Sequence, residues 1–109
     1  MPRSLRRLEE DQAAELADMF RLMGDPTRLR IILACIDDRP SVGALAERLQ
    51  LSPSLASHHL RLLRAGRILR AERRGKQVFY SVADDHVRRV IVDMVAHVGE
   101  PLAPEIQET

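Results

Sequence analysis

The chain has no tryptophan, one tyrosine, two phenylalanines and one cysteine among its 109 residues. A core without large rings has to be assembled from Leu, Val, Ile, Ala and Met, which suits packed helices better than a β-sandwich. The lone Cys35 excludes an internal disulfide and a Cys-x-x-Cys thiol site. It falls in the apolar run 31–36 and reads as a buried core thiol rather than a redox or metal group. No apolar run approaches the ~20 residues that cross a bilayer. Arg3, Arg6 and Arg7 are not followed by the apolar stretch of a signal peptide. The expectation is therefore a soluble, cytoplasmic chain with no membrane partner. Repeats and low-complexity linkers are also missing, and the length fits one domain over 1–109.

Charge of one sign is scarce overall, with a net of +1, but it is unevenly placed. Residues 54–83 hold seven basic side chains against one acid, Glu72, a local +6. Residues 1–53 hold eight arginines against nine acids, −1, and residues 84–109 hold two arginines against six acids, −4. A basic middle between acidic flanks is the footprint of a polyanion binder.

Apolar periodicity and capping residues divide the chain into five helices and a hairpin. Leu5, Leu8, Ala13, Leu16, Met19, Phe20 and Met23 predict a first helix within 1–24, closed by Gly24. Asp25-Pro26 caps a second helix, with Leu29, Ile32, Leu33 and Ile36 as its buried stripe; the segment 37–40 closes it. Ser41 caps a short third helix carrying Val42, Leu45, Ala46 and Leu49, and Gln50-Leu51 makes a turn. Ser52-Pro53 opens a fourth helix, in which Leu55, Ala56, Leu60 and Leu63 are expected to face the core, with Gly66 as its stop. A short helix, a tight turn and a well-capped second helix over 41–66 form a helix-turn-helix. The period then switches to that of strands: 68–72 and 77–82 read as a hairpin joined by Arg73-Arg74-Gly75-Lys76, a basic wing within 67–83. Asp84-Asp85 caps a fifth helix over 84–100, carrying Val87, Val90, Ile91, Met94, Val95 and Val98 and ended by Gly99 and Pro101. The fold class expected is mainly α with a small β-hairpin wing, a winged helix-turn-helix.

A recognition helix needs hydrogen-bonding side chains on its groove side and cations beside them for phosphates. Ser54, Ser57 and His58 fill the first role at the start of the fourth helix. Arg61, Arg74 and Lys76 fill the second. The adjacent His58 and His59 point ~100° apart on a helix and make a poor metal pair.

Here the chain resembles the ArsR/SmtB family of metal-responsive repressors over residues 16–100. The resemblance is carried by Leu22-Met23-Gly24-Asp25-Pro26-Thr27-Arg28-Leu29-Arg30-Ile31, Leu51-Ser52, Ser57-His58-His59-Leu60, Ala65-Gly66, Arg74-Gly75-Lys76-Gln77 and Phe79-Tyr80. It implies a homodimer built through the first and last helices. It also implies binding to double-stranded operator DNA in the metal-free form and release when metal binds.

The remaining histidines, His86 and His97, are eleven residues apart, close to three helical turns. They share a face but lie ~16 Å apart along the axis, so one helix cannot bring both to one ion. Two such helices running antiparallel about a two-fold axis remove the difficulty. Asp84 and His86 of one protomer then meet His97 and Glu100 of the other, twice per dimer. Two imidazoles and two carboxylates suit tetrahedral Zn(II). The spacing also matches the fifth-helix metal site of zinc-sensing members of the family, and the resemblance carries over to Asp84, His86, His97 and Glu100. Gly99 and Pro101 bracket Glu100, so the helix is expected to fray there, and Asp85 or water are alternative ligands. The family's cysteine site near the third helix has no counterpart: the segment reads Ser41-Val42-Gly43-Ala44. The absence of a histidine after His97 or before His58 favours Zn(II) as effector, with Co(II) as a mimic and Ni(II) the alternative. Response to a redox signal, to an organic ligand or to no ligand is the competing regulatory reading. A metallohydrolase is disfavoured, because four protein ligands leave no open coordination position. A structural nucleoid protein is disfavoured by the small net charge.

Overall fold

A computed structural model describes residues 8–105. The elements follow one another as α1 (Glu10–Met23), α2 (Pro26–Asp37), α3 (Val42–Leu49), α4 (Pro53–Ala65), β1 (Leu69–Arg74), β2 (Gln77–Val82) and α5 (Asp85–Gly99).

Four of the five helix starts are set by a side-chain oxygen accepting a free backbone N–H. Asp25 accepts from Arg28 at 3.0 Å, Ser41 from Ala44 at 3.2 Å, Ser52 from Leu55 at 3.1 Å and Asp84 from Val87 at 3.0 Å. Each such cap is worth about 1 kcal/mol against alanine. Pro26 and Pro53 occupy first helical positions, where no N–H is missed. α1 instead starts with a reciprocal box between Glu9 and Gln12. Gln50 takes the left-handed conformation, φ 58°, and reverses the chain between α3 and α4.

The core gathers Ile31, Ile32 and Cys35 from α2, Leu45 from α3, Leu60 and Leu63 from α4, and Ile68, Leu69 and Val82 at the hairpin. The hairpin is antiparallel, with Leu69 opposite Val82 and Arg74 opposite Gln77. It is fastened to the helices at its base. The Tyr80 N–H donates to the Pro40 carbonyl at 2.9 Å, and Ser41 bridges Phe79. The wing is therefore held to the segment that opens the helix-turn-helix.

Several sequence expectations are corrected. Leu55 does not join the core; it is 43% exposed. α2 is buried more broadly than its expected stripe: Ile31, Ile32, Ala34 and Cys35 are buried, while Leu29, Leu33 and Ile36 are only half-buried. The connection in the hairpin is two residues, Gly75 and Lys76, because Arg73 and Arg74 belong to β1. Gly75 has φ +64° and Lys76 is not among the positive-φ residues, the pattern of a type II′ turn with glycine first. α1 begins at Glu10, so Leu8 precedes it and is exposed; Leu5 lies outside the described residues. None of the residues of α1 is buried within the single chain, and Leu16 and Phe20 stand exposed.

Candidate nucleic-acid interface and metal half-sites

α4 buries Ala56, Leu60 and Leu63. At ~100° per residue, Ser54, His58 and Arg61 lie on the side turned away from that stripe, and Leu55 lies on its flank. Ser54, His58 and Arg61 are exposed and Ser57 is half-buried. The Ser54 hydroxyl lies 3.5 Å from that of Ser52, the cap of the same helix. The exposed side thus offers a hydroxyl, an imidazole and a guanidinium near the N-terminal end of the helix, with the half-buried Ser57 hydroxyl at its edge. Leu55 adds an apolar group that the periodicity alone assigned to the core. Its signal in the sequence was faint: in a helix whose stripe is Ala56, Leu60 and Leu63, residue 55 is displaced to the flank.

In the wing, Arg74 is exposed on β1 and Lys76 sits in the turn. Arg74 is 3.5 Å from Glu72, and Glu72 is 3.9 Å from Arg39 in the loop between α2 and α3. These are solvent-facing pairs, worth under about 1 kcal/mol, so Arg74 can exchange its carboxylate for a phosphate at little cost.

On α5 and its caps the four candidate ligands, Asp84, His86, His97 and Glu100, stand in two pairs. The His86 Nδ1 lies 3.7 Å from an Asp84 oxygen at the start of the helix. The His97 Nδ1 lies 3.7 Å from a Glu100 oxygen at the end. The helix stops at Gly99, and Glu100 is its extended C-cap. All four side chains face solvent. Among the described residues no group of three or more His, Cys, Asp or Glu that could hold a metal ion assembles within one chain; each end of α5 carries one histidine–carboxylate pair. The donor chemistry fits a divalent cation. The Asp84 cap uses one carboxylate oxygen, Oδ1, which leaves Oδ2 for a ligand. The Val87 N–H that it accepts holds the Asp84 carboxyl below the usual range, and the neighbouring His86 adds to this. The carboxylate is therefore ionised throughout the pH range in which imidazoles are neutral.

Cys35, the single thiol of the chain, is 1% exposed, and burial pushes its thiol up to about 12. It is a protonated core residue, as its apolar surroundings predict. No helix among the described residues is long and apolar enough to cross a membrane.

A helix-turn-helix with an exposed polar recognition face, followed at once by a basic hairpin, defines a winged-helix DNA-binding regulator. Residues 23–72 match the helix-turn-helix domain family. The chain is 38% identical over 90 residues to the transcriptional repressor SmtB homolog of Synechocystis sp., covering 83% of this chain and 68% of that one. It is 30% identical over 99 residues to the cadmium resistance transcriptional regulatory protein CadC homolog of Staphylococcus aureus, covering 90% and 82%. Its fold is that of a homodimeric winged helix-turn-helix DNA-binding domain from Mycobacterium bovis, with TM-score 0.78, 22% identity, and 94% and 98% of the two chains covered. The chain belongs to the ArsR/SmtB family of transcriptional regulators. It is a DNA-binding protein and not an enzyme.

Proposed function

We propose that the protein is a homodimeric, metal-responsive repressor that holds operator DNA in the apo form and is released by Zn(II), with Co(II) as a chemical mimic. The observation that carries this is the division of α5. Asp84 with His86 stands at one end and His97 with Glu100 at the other, each pair already within 3.7 Å. An antiparallel α5 pair joins the halves into two equivalent sites of two imidazoles and two carboxylates. Support for the pairing comes from the apolar residues left uncovered on α5 and α1, and from the homodimeric fold relative. Support for a metal signal comes from the donor set, and from a relative whose name concerns cadmium resistance.

In this reading Ser54, Ser57 and His58 reach base edges, while Arg61, Arg74 and Lys76 hold phosphates. Two such heads, related by the two-fold axis, fit a pseudo-palindromic site in successive major grooves. A bound cation cross-links the two α5 helices and fixes their spacing. Metal and DNA then weaken each other by one common factor.

The test is a Zn(II) titration of the protein bound to a labelled fragment of its own promoter, followed by anisotropy beside His86→Ala/His97→Ala. Release of the wild type and retention of the variant is the expected result. Release of both assigns the sensor elsewhere. Retention of both leaves a DNA-binding regulator with another signal.

A further inference from the structure

The turn that leaves α4 keeps its glycine in an unexpected place. The Ile68 N–H donates to the Leu63 carbonyl at 2.9 Å and the Arg67 N–H to the Arg64 carbonyl at 3.0 Å, the two bonds of a Schellman motif. That motif needs a left-handed residue just past the helix cap, and glycine is the residue that adopts it without strain. Here Arg67 adopts it, at φ 61°, and Gly66 stands one position earlier with an ordinary φ of −81°. Gly66 serves space rather than conformation: a Cβ on it would come within 2.2 Å of Leu22 Cδ1 on α1. Arg67 in turn donates to the Glu15 carboxylate, also on α1. Glu15, Met19 and Leu22 share one face of α1, within ~60°. Leu16 and Phe20, exposed within one chain, are centred ~110° round the helix from them. Beside the contact opens a cavity of about 660 Å³ lined by Met19, Arg64 and Arg67, so the junction of α1 with this end of α4 is narrow.

We infer that Leu22 against Gly66 and Glu15 with Arg67 make α1 the strut that sets the separation and roll of the two recognition helices, and with them the half-site spacing that the dimer accepts. The inference rests on the proposed dimer, with α1 in its interface and α4 in the groove. One face of α1 then meets the partner and the next meets the end of α4. Any displacement of α1 against α4 is therefore a displacement of the head against the two-fold axis. Half-sites lie one helical turn apart, ~34–36 Å, and each base pair inserted between them adds ~3.4 Å and ~34–36°. A head held firmly to α1 cannot follow such a step. A loosened one follows it, and binds the native spacing less well because it is no longer held in place for it. The steric contact carries most of this effect. The ion pair is solvent-exposed and screened, and only trims the angle. All four residues act through the placement of α4, as positioning residues.

The test is anisotropy with the metal-free full chain, chelator present, on a set of DNAs. The set holds the promoter fragment, the same fragment with one base pair inserted or deleted midway between the half-sites, and random DNA of equal length. The wild type is expected to bind the native spacing best. Gly66→Ala adds a methyl that the backbone at φ −81° tolerates and Leu22 obstructs. It should bind the native spacing several-fold more weakly and lose most of the preference over the altered ones, with random-DNA affinity and dimer mass unchanged. Gly66→Ala/Leu22→Val withdraws Cδ1 and should restore both. Glu15→Lys should lower the preference by less, and Glu15→Lys/Arg67→Glu should return it; the ratio between fragments cancels the added charge. Should Gly66→Ala fail to fold by circular dichroism, Glu15→Lys and its rescue decide alone. Weakening by Gly66→Ala that is equal on every DNA, or that Leu22→Val does not reverse, overturns the strut, as does a monomeric Gly66→Ala. A sharp spacing preference that the wild type, Gly66→Ala and Glu15→Lys all share overturns the strut alone. A wild type that binds the promoter without preferring any spacing faults the two-headed dimer itself, and the strut falls with it.

Discussion

Leu55 shows how a single side chain divides stability from recognition. It is apolar, lies on a helix with a well-defined buried stripe, and is nevertheless 43% exposed beside Ser54 and His58. If α4 enters the major groove as proposed, an exposed leucine beside Ser54 and His58 has a natural partner in the thymine methyl group. Leu55→Ala is expected to change thermal stability by no more than about 0.5 kcal/mol, as an exposed position does. It should weaken promoter binding by about 1 kcal/mol, several-fold, while leaving binding to random DNA unchanged. Melting curves and anisotropy on the two DNAs check both halves. Cys35 presents the opposite case. With 1% exposure and a thiol pushed up to about 12, it has almost no thiolate at neutral pH. A thiol-specific disulfide reagent should leave the native protein untouched for as long as it stays folded and should label Cys35 fully in denaturant. Rapid labelling of the folded protein would instead revive a redox signal.

At the scale of elements, what the sequence made legible is what is local. The caps Asp25, Ser41, Ser52 and Asp84 each act within three residues of their own position, so their helices could be read from single residues and the prolines that follow two of them. The hairpin was legible from its change of period, but its turn was not. Whether Arg73 and Arg74 belong to the strand depends on pairing with Gln77 and Val78 across the sheet, which a run of cations does not reveal. Likewise α1 looks like a helix with a core face, yet within one chain only Met19, Leu22 and Met23 pack against the core, while Leu16 and Phe20 stay exposed. The basic residues of α4 and the wing were legible as a cluster of charge. The wing carries its own test. Gly75 sits at φ +64°, where any residue with a Cβ is strained by roughly 1–2 kcal/mol. Gly75→Val is expected to distort the turn, to move Lys76, and to weaken promoter and random DNA alike, since binding to phosphates carries little sequence information. The slope of log affinity against log salt should flatten by about one for each phosphate that the displaced wing no longer neutralises.

For the whole molecule, the decisive feature is apolar surface with no partner in one chain. On α5 only Val87 and Ile91 are buried, while Val90, Val92, Met94, Val95 and Val98 are exposed. Leu29 and Leu33 of α2 join Ile91, Met94, Val95 and Val98 around a groove of about 220 Å³, and Leu16 and Phe20 of α1 are exposed as well. Apolar surface of this kind marks an association site, and a two-fold partner meets it with the same residues. That partner is also what the proposed metal site requires, because the ~16 Å between His86 and His97 on one helix cannot be closed within a chain. Val95→Glu separates these dependences. It places a carboxylate in the apolar groove while leaving the buried core, the recognition helix and all four α5 ligands in place. The protein is expected to remain folded by circular dichroism and to halve its mass in light scattering. Its promoter affinity should fall to that of a single head, and it should lose the four-ligand metal site. Should the variant stay dimeric with unchanged zinc binding, α5 is not the interface, and the two half-sites must be completed by some other surface. Should it become monomeric yet keep tight zinc binding, the ligands lie within one chain, and the α5 pairing is wrong even though the dimer is real.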